Sequence, residues 1–363
     1  MKLRINISQN KSGSYRPALK LIRTLPVCIL VLLLLPLSDI KSQDAHFSQF
    51  FETPLLRNPG LAGIFTGDIR VQGVYRDQWQ SVTQGYRTGS LNAEYKMPIG
   101  KQYDFLTWGF QALFDKAGTV GLTTAHFQPV LNYHKSLSGE DNMYLSLGFM
   151  GGIVQKRIDR SKITTNNQYD GNGYNPGLPD GEYFTDFKQT YWDGSVGMSF
   201  NSDLGRNMNN RLFLGIAYHH FNRPTNSFYK NPDIGLSPKW VYSAGVKLQI
   251  NEFSFFNLQA DYSQQGPHEA VIGGALYGYK IGEQPDDPQY TIQAGAFLRW
   301  KDAFIPVIKL DYKPVAIALS YDINVSPLKT ASMGRGGFEL SVTFIGFLNR
   351  ENSSRDAVLC PRF

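Results

Sequence analysis

Few residues in this chain have the type and spacing for catalysis or metal binding. The nitrogen donors are His46, His126, His134, His219, His220 and His268. His126 and His134 share a strand parity but stand roughly 27 Å apart at about 3.4 Å per residue, too far to share an ion. His219 and His220 are adjacent in an extended segment and are expected on opposite faces. Ser195 is a candidate nucleophile, but activation needs a histidine and an orienting Asn or Asp, and nothing near it in sequence supplies them. Asp170, Gly171, Asn172 and Gly173 offer oxygen ligands at alternate positions without the later bidentate Glu of a calcium loop, so a solvated turn is expected. The two cysteines are Cys28 and Cys360. No catalytic group, cofactor site or metal site is expected.

A second chemistry, protein recognition, fits better. Residues 156–189 carry Tyr169, Tyr174, Tyr183, Phe184 and Phe187 among Gly, Pro, Asn and Asp, which places aromatic anchors on an adaptable backbone. Residues 222–238 add Arg223, Phe228 and Tyr229. These eight are the candidate partner-binding residues, with two passive capping loops as the alternative.

The elements that must hold these loops alternate with period two. Ile69, Val71, Gly73 and Tyr75 face one way and Arg70, Gln72 and Arg76 the other. Leu91, Ala93, Tyr95 and Met97 stand against Asn92, Glu94 and Lys96, and Leu106, Trp108, Phe110, Ala112 and Phe114 against Thr107, Gln111 and Asp115. Further strands are expected at 122–134, 143–155, 190–200, 211–221, 239–250, 254–264, 269–281, 289–299, 303–312, 314–325 and 337–347, about 14 in all. Each has the length of a tilted membrane-crossing strand. The fold class is therefore all-β, a transmembrane antiparallel β-barrel. An even count returns both ends of the barrel to one side, and the two long connectors then fall on the other. A soluble sandwich or propeller is the rival, because alternation cannot say whether the apolar face meets a core or lipid. Arg70, Arg76, Glu94, Lys96, Lys247, Asp261 and Lys309 are expected to be paired in a polar lumen. Trp79, Trp108, Trp192, Trp240 and Trp300 are expected near the membrane interfaces.

Residues 1–42 read as a cleaved signal peptide, with basic residues before a 13-residue apolar run from Leu25 to Leu37. The formal charge of +6 belongs to this leader: 36 basic residues less seven leaves 29, and 30 acidic less one leaves 29. A neutral mature chain gives no reason to expect nucleic acid as a partner. The expected division is 1–42 leader, 43–66 periplasmic or lumenal lead-in, 67–347 barrel and 348–363 tail.

The lead-in opens Gln43, Asp44, Ala45, His46, Phe47, Ser48, Gln49, Phe50 and continues Asn58, Pro59, Gly60, Leu61, Ala62, Gly63. It resembles the start of PorP/SprF proteins of type IX secretion, with Gly60 where Ala is usual. The resemblance continues through Arg76, Gln78 and Trp79, through His220, Arg223, Pro224 and Ser227, and from Gly295 to Trp300 with Asp302 and Ala303. Tyr321, Asp322, Asn324, Phe338, Glu339, Leu340 and Ser341 follow, and the terminal Cys360, Pro361, Arg362, Phe363 is similar as well. It implies a non-enzymatic outer-membrane component found in Bacteroidetes, serving type IX secretion or gliding, with periplasmic termini. The implied partners are a cognate secreted surface protein or its C-terminal domain, periplasmic secretion or peptidoglycan-anchoring components, and outer-membrane lipid. A porin or small-molecule transporter is the alternative function.

Overall fold

The computed structural model describes residues 44–78, 85–100, 103–138, 142–182, 186–205, 210–285, 287–327 and 332–348. The expected leader with its cleavage point, Trp79, Tyr183, Phe184 and the terminal Cys360 to Phe363 lie outside these residues. The strands are β1 (Ile69–Gln78), β2 (Tyr86–Ile99), β3 (Asp104–Ala117), β4 (Leu122–Ser138), β5 (Met143–Arg157), β6 (Lys188–Asp203) and β7 (Arg211–His219). The second half holds β8 (Lys239–Gln249), β9 (Ser254–Gln265), β10 (His268–Ile281), β11 (Tyr290–Arg299), β12 (Ala303–Tyr312), β13 (Val315–Asn324) and β14 (Arg335–Gly346). Each pairs antiparallel with its sequence neighbours, and β1 pairs with β14, which closes a 14-strand barrel.

Alternation sets the two faces. On β1, Arg70, Gln72, Val74 and Arg76 are buried, whereas Val71 and Tyr75 are 37% and 41% exposed. On β3, Thr107, Gln111 and Leu113 are buried and Trp108 and Phe114 exposed. A water-soluble protein hides large apolar groups and shows polar ones; here the exterior is aliphatic and aromatic around the whole wall, and the interior is polar. Lipid is the solvent that this pattern fits, so the soluble sandwich and propeller are set aside.

Ile69 lies opposite Gly346, so the barrel begins and ends at one rim. The same rim carries the turns 250–253 and 313–314, and the described parts of the long connectors, 158–182, 186–187 and 220–238, occupy the other. This matches the expected parity. Boundaries shift in places: β4 runs to Ser138, past the expected 134, and β7 stops at His219 instead of continuing to 221. The stop has a local cause, because His220 and Arg223 adopt left-handed φ of 57° and 44°, which an extended strand cannot absorb.

The expectation of both termini on one side holds for the strands but not for the described N-terminus. Asp44 bonds to Gln265 at the end of β9 and to His220 just past β7, both at the long-loop rim, while Asp68 bonds to Gly346 at the opposite rim. Residues 44–68 therefore thread the lumen from one end to the other.

Candidate functional site

The threaded segment takes its shape from its own sequence. Asn58 lies just before Pro59, whose fixed φ suits the first position of a helical turn, and its side-chain oxygen accepts from Gly60 N at 2.7 Å. The same amide donates to the Met198 carbonyl on β6 at 3.0 Å, and Asn132 on β4 donates to the Gly60 and Ala62 carbonyls at 3.0 and 2.7 Å. Backbone and wall approach closely here because two inward positions are glycine. A Cβ at Gly148 would stand 2.4 Å from the Pro59 carbonyl oxygen, and one at Gly197 would stand 1.9 Å from Asn58 Oδ1. Either would push the turn off the wall.

Apolar contacts complete the seat. Phe50 packs with Leu276, Phe297, Ala303, Ile305 and Val307, and Phe51 stacks on Phe297 at 5.1 Å. Leu55 and Ala62 pack with Val130 and Met150, and Leu61 and Ile64 with Phe213.

Charge pairing supplies the rest. The backbone amides of Ser48 and Gln49 donate to the two oxygens of Glu339 at 2.6 and 2.7 Å, and Ser48 Oγ donates to Asp322 at 2.8 Å. Arg76 reaches Asp322 at 2.9 Å and Glu339 at 3.1 Å, and donates to the His46 carbonyl. Arg299 joins Asp322 at 2.8 Å, Ser48 at 2.9 Å and Asp302 at 2.5 Å. Arg76, Asp322 and Glu339 are each about 1% exposed or less, so each charge depends on its neighbours for the solvation water would have given. Two further pairs run from segment to wall: Arg57 to Asp261, with Gln259 at 2.9 Å, and Glu52 to Lys309 at 2.6 Å.

The lumen charges expected from sequence are thus largely paired, with a difference in partner. Arg70 bonds Glu94 across adjacent strands at 2.7 Å. Asp261, Lys309 and Lys96 are met by the threaded segment, Lys96 through the Phe65 carbonyl, and Lys247 lies 4.1 Å over the Phe255 ring. Sequence reading missed Ser48, Gln49, Arg299, Asp322 and Glu339 as a site. Their signal was present, because the segments carrying the family resemblance meet here in space.

Two expectations about histidine and serine are corrected. His219 and His220 do not point to opposite faces: the left-handed turn at His220 swings its ring inward, so the two rings lie 6.3 Å apart and both are buried. Ser195 does have a histidine partner, His219 Nδ1 at 3.0 Å, whose other nitrogen meets the Arg57 carbonyl at 3.3 Å. This pair came together only through strand register, Ser195 opposite His219. It is buried beneath the threaded segment and ties that segment to the wall. His220 sits between Asp193 at 2.9 Å and Asp44 at 2.7 Å, with Lys239 3.7 Å from Asp44. Burial alone would lower the His220 pKa, but the two carboxylates outweigh it and hold it up at about 9. His134 meets Thr107 and Ser146 at 3.0 and 2.7 Å. Asp170 accepts from the amides of Asn172 and Gly173 in an exposed turn, where a solvated turn was expected.

Two cavities flank the segment, both lined by Arg57. One of 440 Å³ at the long-loop end touches His46, Phe50, Lys239, Asp261 and Arg299. The other, of 290 Å³, touches Glu52, Arg70, Lys247 and Lys309.

Above the rim, Tyr169 and Tyr174 are 62% and 56% exposed and face each other across an antiparallel bridge. Phe187 is 38% exposed with Arg160 5.5 Å over its ring. Tyr229, 50% exposed, donates to Glu182 at 3.1 Å and so joins the second long loop to the first; Arg223 is exposed and Phe228 half-buried. A cleft of 730 Å³ between the loops is lined by Lys188, Trp192, Asn222, Phe228 and Lys230.

Fold and interior together define a membrane β-barrel whose lumen is occupied by its own N-terminal segment. The model of the type IX secretion system membrane protein PorP/SprF family matches residues 40–344, and the chain belongs to that family. No curated protein matches it in sequence. Among solved structures, it is similar to CdiB from Acinetobacter baumannii, with 10% identity, TM-score 0.44, and 76% of this chain and 60% of that chain covered. It is also similar to the Ralstonia pickettii toluene transporter TbuX, with 9% identity, TM-score 0.47, and 80% and 91% covered. The CymD monoaromatic hydrocarbon channel matches at 10% identity, TM-score 0.44, with 84% and 94% covered.

Proposed function

We propose that this protein is a non-enzymatic outer-membrane component of type IX secretion or gliding that anchors, or helps to export, a cognate surface protein. The long loops face outward and capture that partner or its C-terminal domain; the short turns face the periplasm, where secretion or peptidoglycan-anchoring components dock. The supporting observation is the division of labour along the barrel axis. The lumen is committed to an internal segment through buried ion pairs, while exposed aromatic side chains gather on loops at one rim. An occupied lumen suits a scaffold better than a diffusion channel, and exposed aromatics suit protein recognition.

The test deletes Asn166 to Pro179 from the first loop while barrel assembly is followed by heat-modifiable mobility. Surface display of the cognate protein and its co-isolation with the barrel are expected to fall. Unchanged display and co-isolation would remove this loop from the capture role. A transporter is the second reading, favoured by the two cavities that flank the threaded segment, both lined by Arg57.

A further inference from the structure

The outer surface at the long-loop rim carries a second feature, which shares Lys188 and Trp192 with the cleft between the loops. Strand register places Arg87 opposite Lys116, Lys116 opposite Thr123, Thr123 opposite Arg157, and Arg157 opposite Lys188, across β2 to β6. These cations share the parity of Leu91, Phe114, Ile153 and Trp192, all exposed, so they stand on the outside of the wall. Four residues farther from the rim, the same register gives Leu91, Ala112, Phe127, Ile153 and Trp192, an apolar row. Four residues on a strand tilted by about 40° is roughly 10 Å of height, the step from acyl chains to headgroup phosphates. Rows across tilted strands climb by about 3 Å per strand, so the cations form a rising band roughly 12 Å tall.

Like charges directly opposite each other on paired strands are destabilising. The fold nevertheless sets Arg87 beside Lys116 and Arg157 beside Lys188. Arg87 has Asp77 at 3.5 Å, whereas Lys116, Arg157 and Lys188 form no ion pair among the described residues. The run of adjacent cations covers one arc; at the same rim β14 also sets the exposed Arg335 opposite outward Ile323. On β8 to β13 the outward residues nearest this rim are Trp240, Gln264, Glu269, Leu298, Phe304 and Ile323, none of them basic. Near the opposite rim the outward cation on β4, Lys135, is already neutralised by Asp104 at 2.9 Å.

We infer that this band binds the phosphate groups of membrane lipid in the leaflet on the long-loop side. Under the orientation proposed above, on which the lipid's identity rests, this is the phosphorylated glycolipid of the outer leaflet, lipid A. Arg87 with Lys116 and Arg157 with Lys188 form two cationic pairs, separated by Thr123, whose hydroxyl donates to the Gly121 carbonyl at 3.2 Å. Phosphate bound there offsets the repulsion within each pair, and the apolar row below receives the acyl chains.

The experiment measures binding of diphosphoryl lipid A, and of the same lipid dephosphorylated, to the full barrel in neutral detergent. The triple variant Lys116→Gln, Arg157→Gln, Lys188→Gln is expected to bind diphosphoryl lipid A about tenfold or more weakly. The charge-retaining variant Lys116→Arg, Arg157→Lys, Lys188→Arg should keep the affinity, and dephosphorylated lipid should bind all forms equally weakly. Inorganic phosphate should compete poorly. The inference is overturned if the Gln variant, with unchanged heat-modifiable mobility, binds as the native chain does, if dephosphorylated lipid binds as tightly, or if inorganic phosphate displaces the lipid at equal concentration. Binding is read without a secreted partner, so this outcome is independent of surface display.

Discussion

Asp322 is the residue on which the lumenal ion network turns, because it receives Ser48, Arg76 and Arg299 together. Its replacement by Asn leaves two buried guanidinium groups short of a counter-charge, a loss of about 3 to 5 kcal/mol for a broken buried pair. The thermal midpoint of heat-modifiable mobility should fall for Asp322→Asn and stay near the native value for Asp302→Asn, whose side chain is 41% exposed. Equal midpoints for the two variants would contradict the role given to Asp322. His220 makes a pH prediction. Its folded pKa of about 9 lies above the usual 6.5, so the stabilisation from Asp44 and Asp193 is complete below about pH 6.5 and is lost as pH rises through about 9. Hydrogen exchange at residues 45–50 should therefore speed up between pH 7 and 10 beyond its intrinsic base catalysis, and His220→Gln should remove the excess. A His220→Gln profile identical to the native one would contradict the hold of His220 on Asp44.

At the scale of elements, the wall was built to admit the Asn58-Pro59-Gly60 turn. Gly148→Ala places a methyl group against a backbone oxygen of that turn, an overpacking cost of about 1 to 3 kcal/mol. Exchange protection at residues 58–63 should drop, whereas Gly89→Ala, with nothing within 4 Å, should leave it unchanged. The strands were legible in the sequence because a wall between lipid and a polar interior imposes strict period-two alternation, and loop parity followed from their count. The threaded segment was not legible: its short turns at Phe50–Glu52, Pro54–Arg57 and Pro59–Leu61 have no periodicity, and its partners are scattered along the chain, from Asn132 to Asp322 and Glu339. Ser195 with His219, and the turn that brings His220 inward, were invisible for the same reason. Register and a single left-handed φ decide them, and neither can be read from local residue types.

For the whole molecule, the claim is a lipid-embedded wall around an internally occupied lumen. Ala93 stands on the outer face between Leu91 and Tyr95, and Ala93→Arg should cost about 2 to 4 kcal/mol if it lies near the midplane, measured as folding in lipid vesicles. In a wet lumen, an equivalent change at the inward Gln111 would be milder. The packed interior alters that, since Gln111 is fully buried and donates to Ser90 and to the Ala112 carbonyl. The most direct test of the account is single-channel recording on the purified full barrel in a planar bilayer, beside a variant lacking residues 46–66. The account predicts a closed native barrel and long-lived open conductance from the variant; a native barrel that conducts as stably as the variant would contradict it.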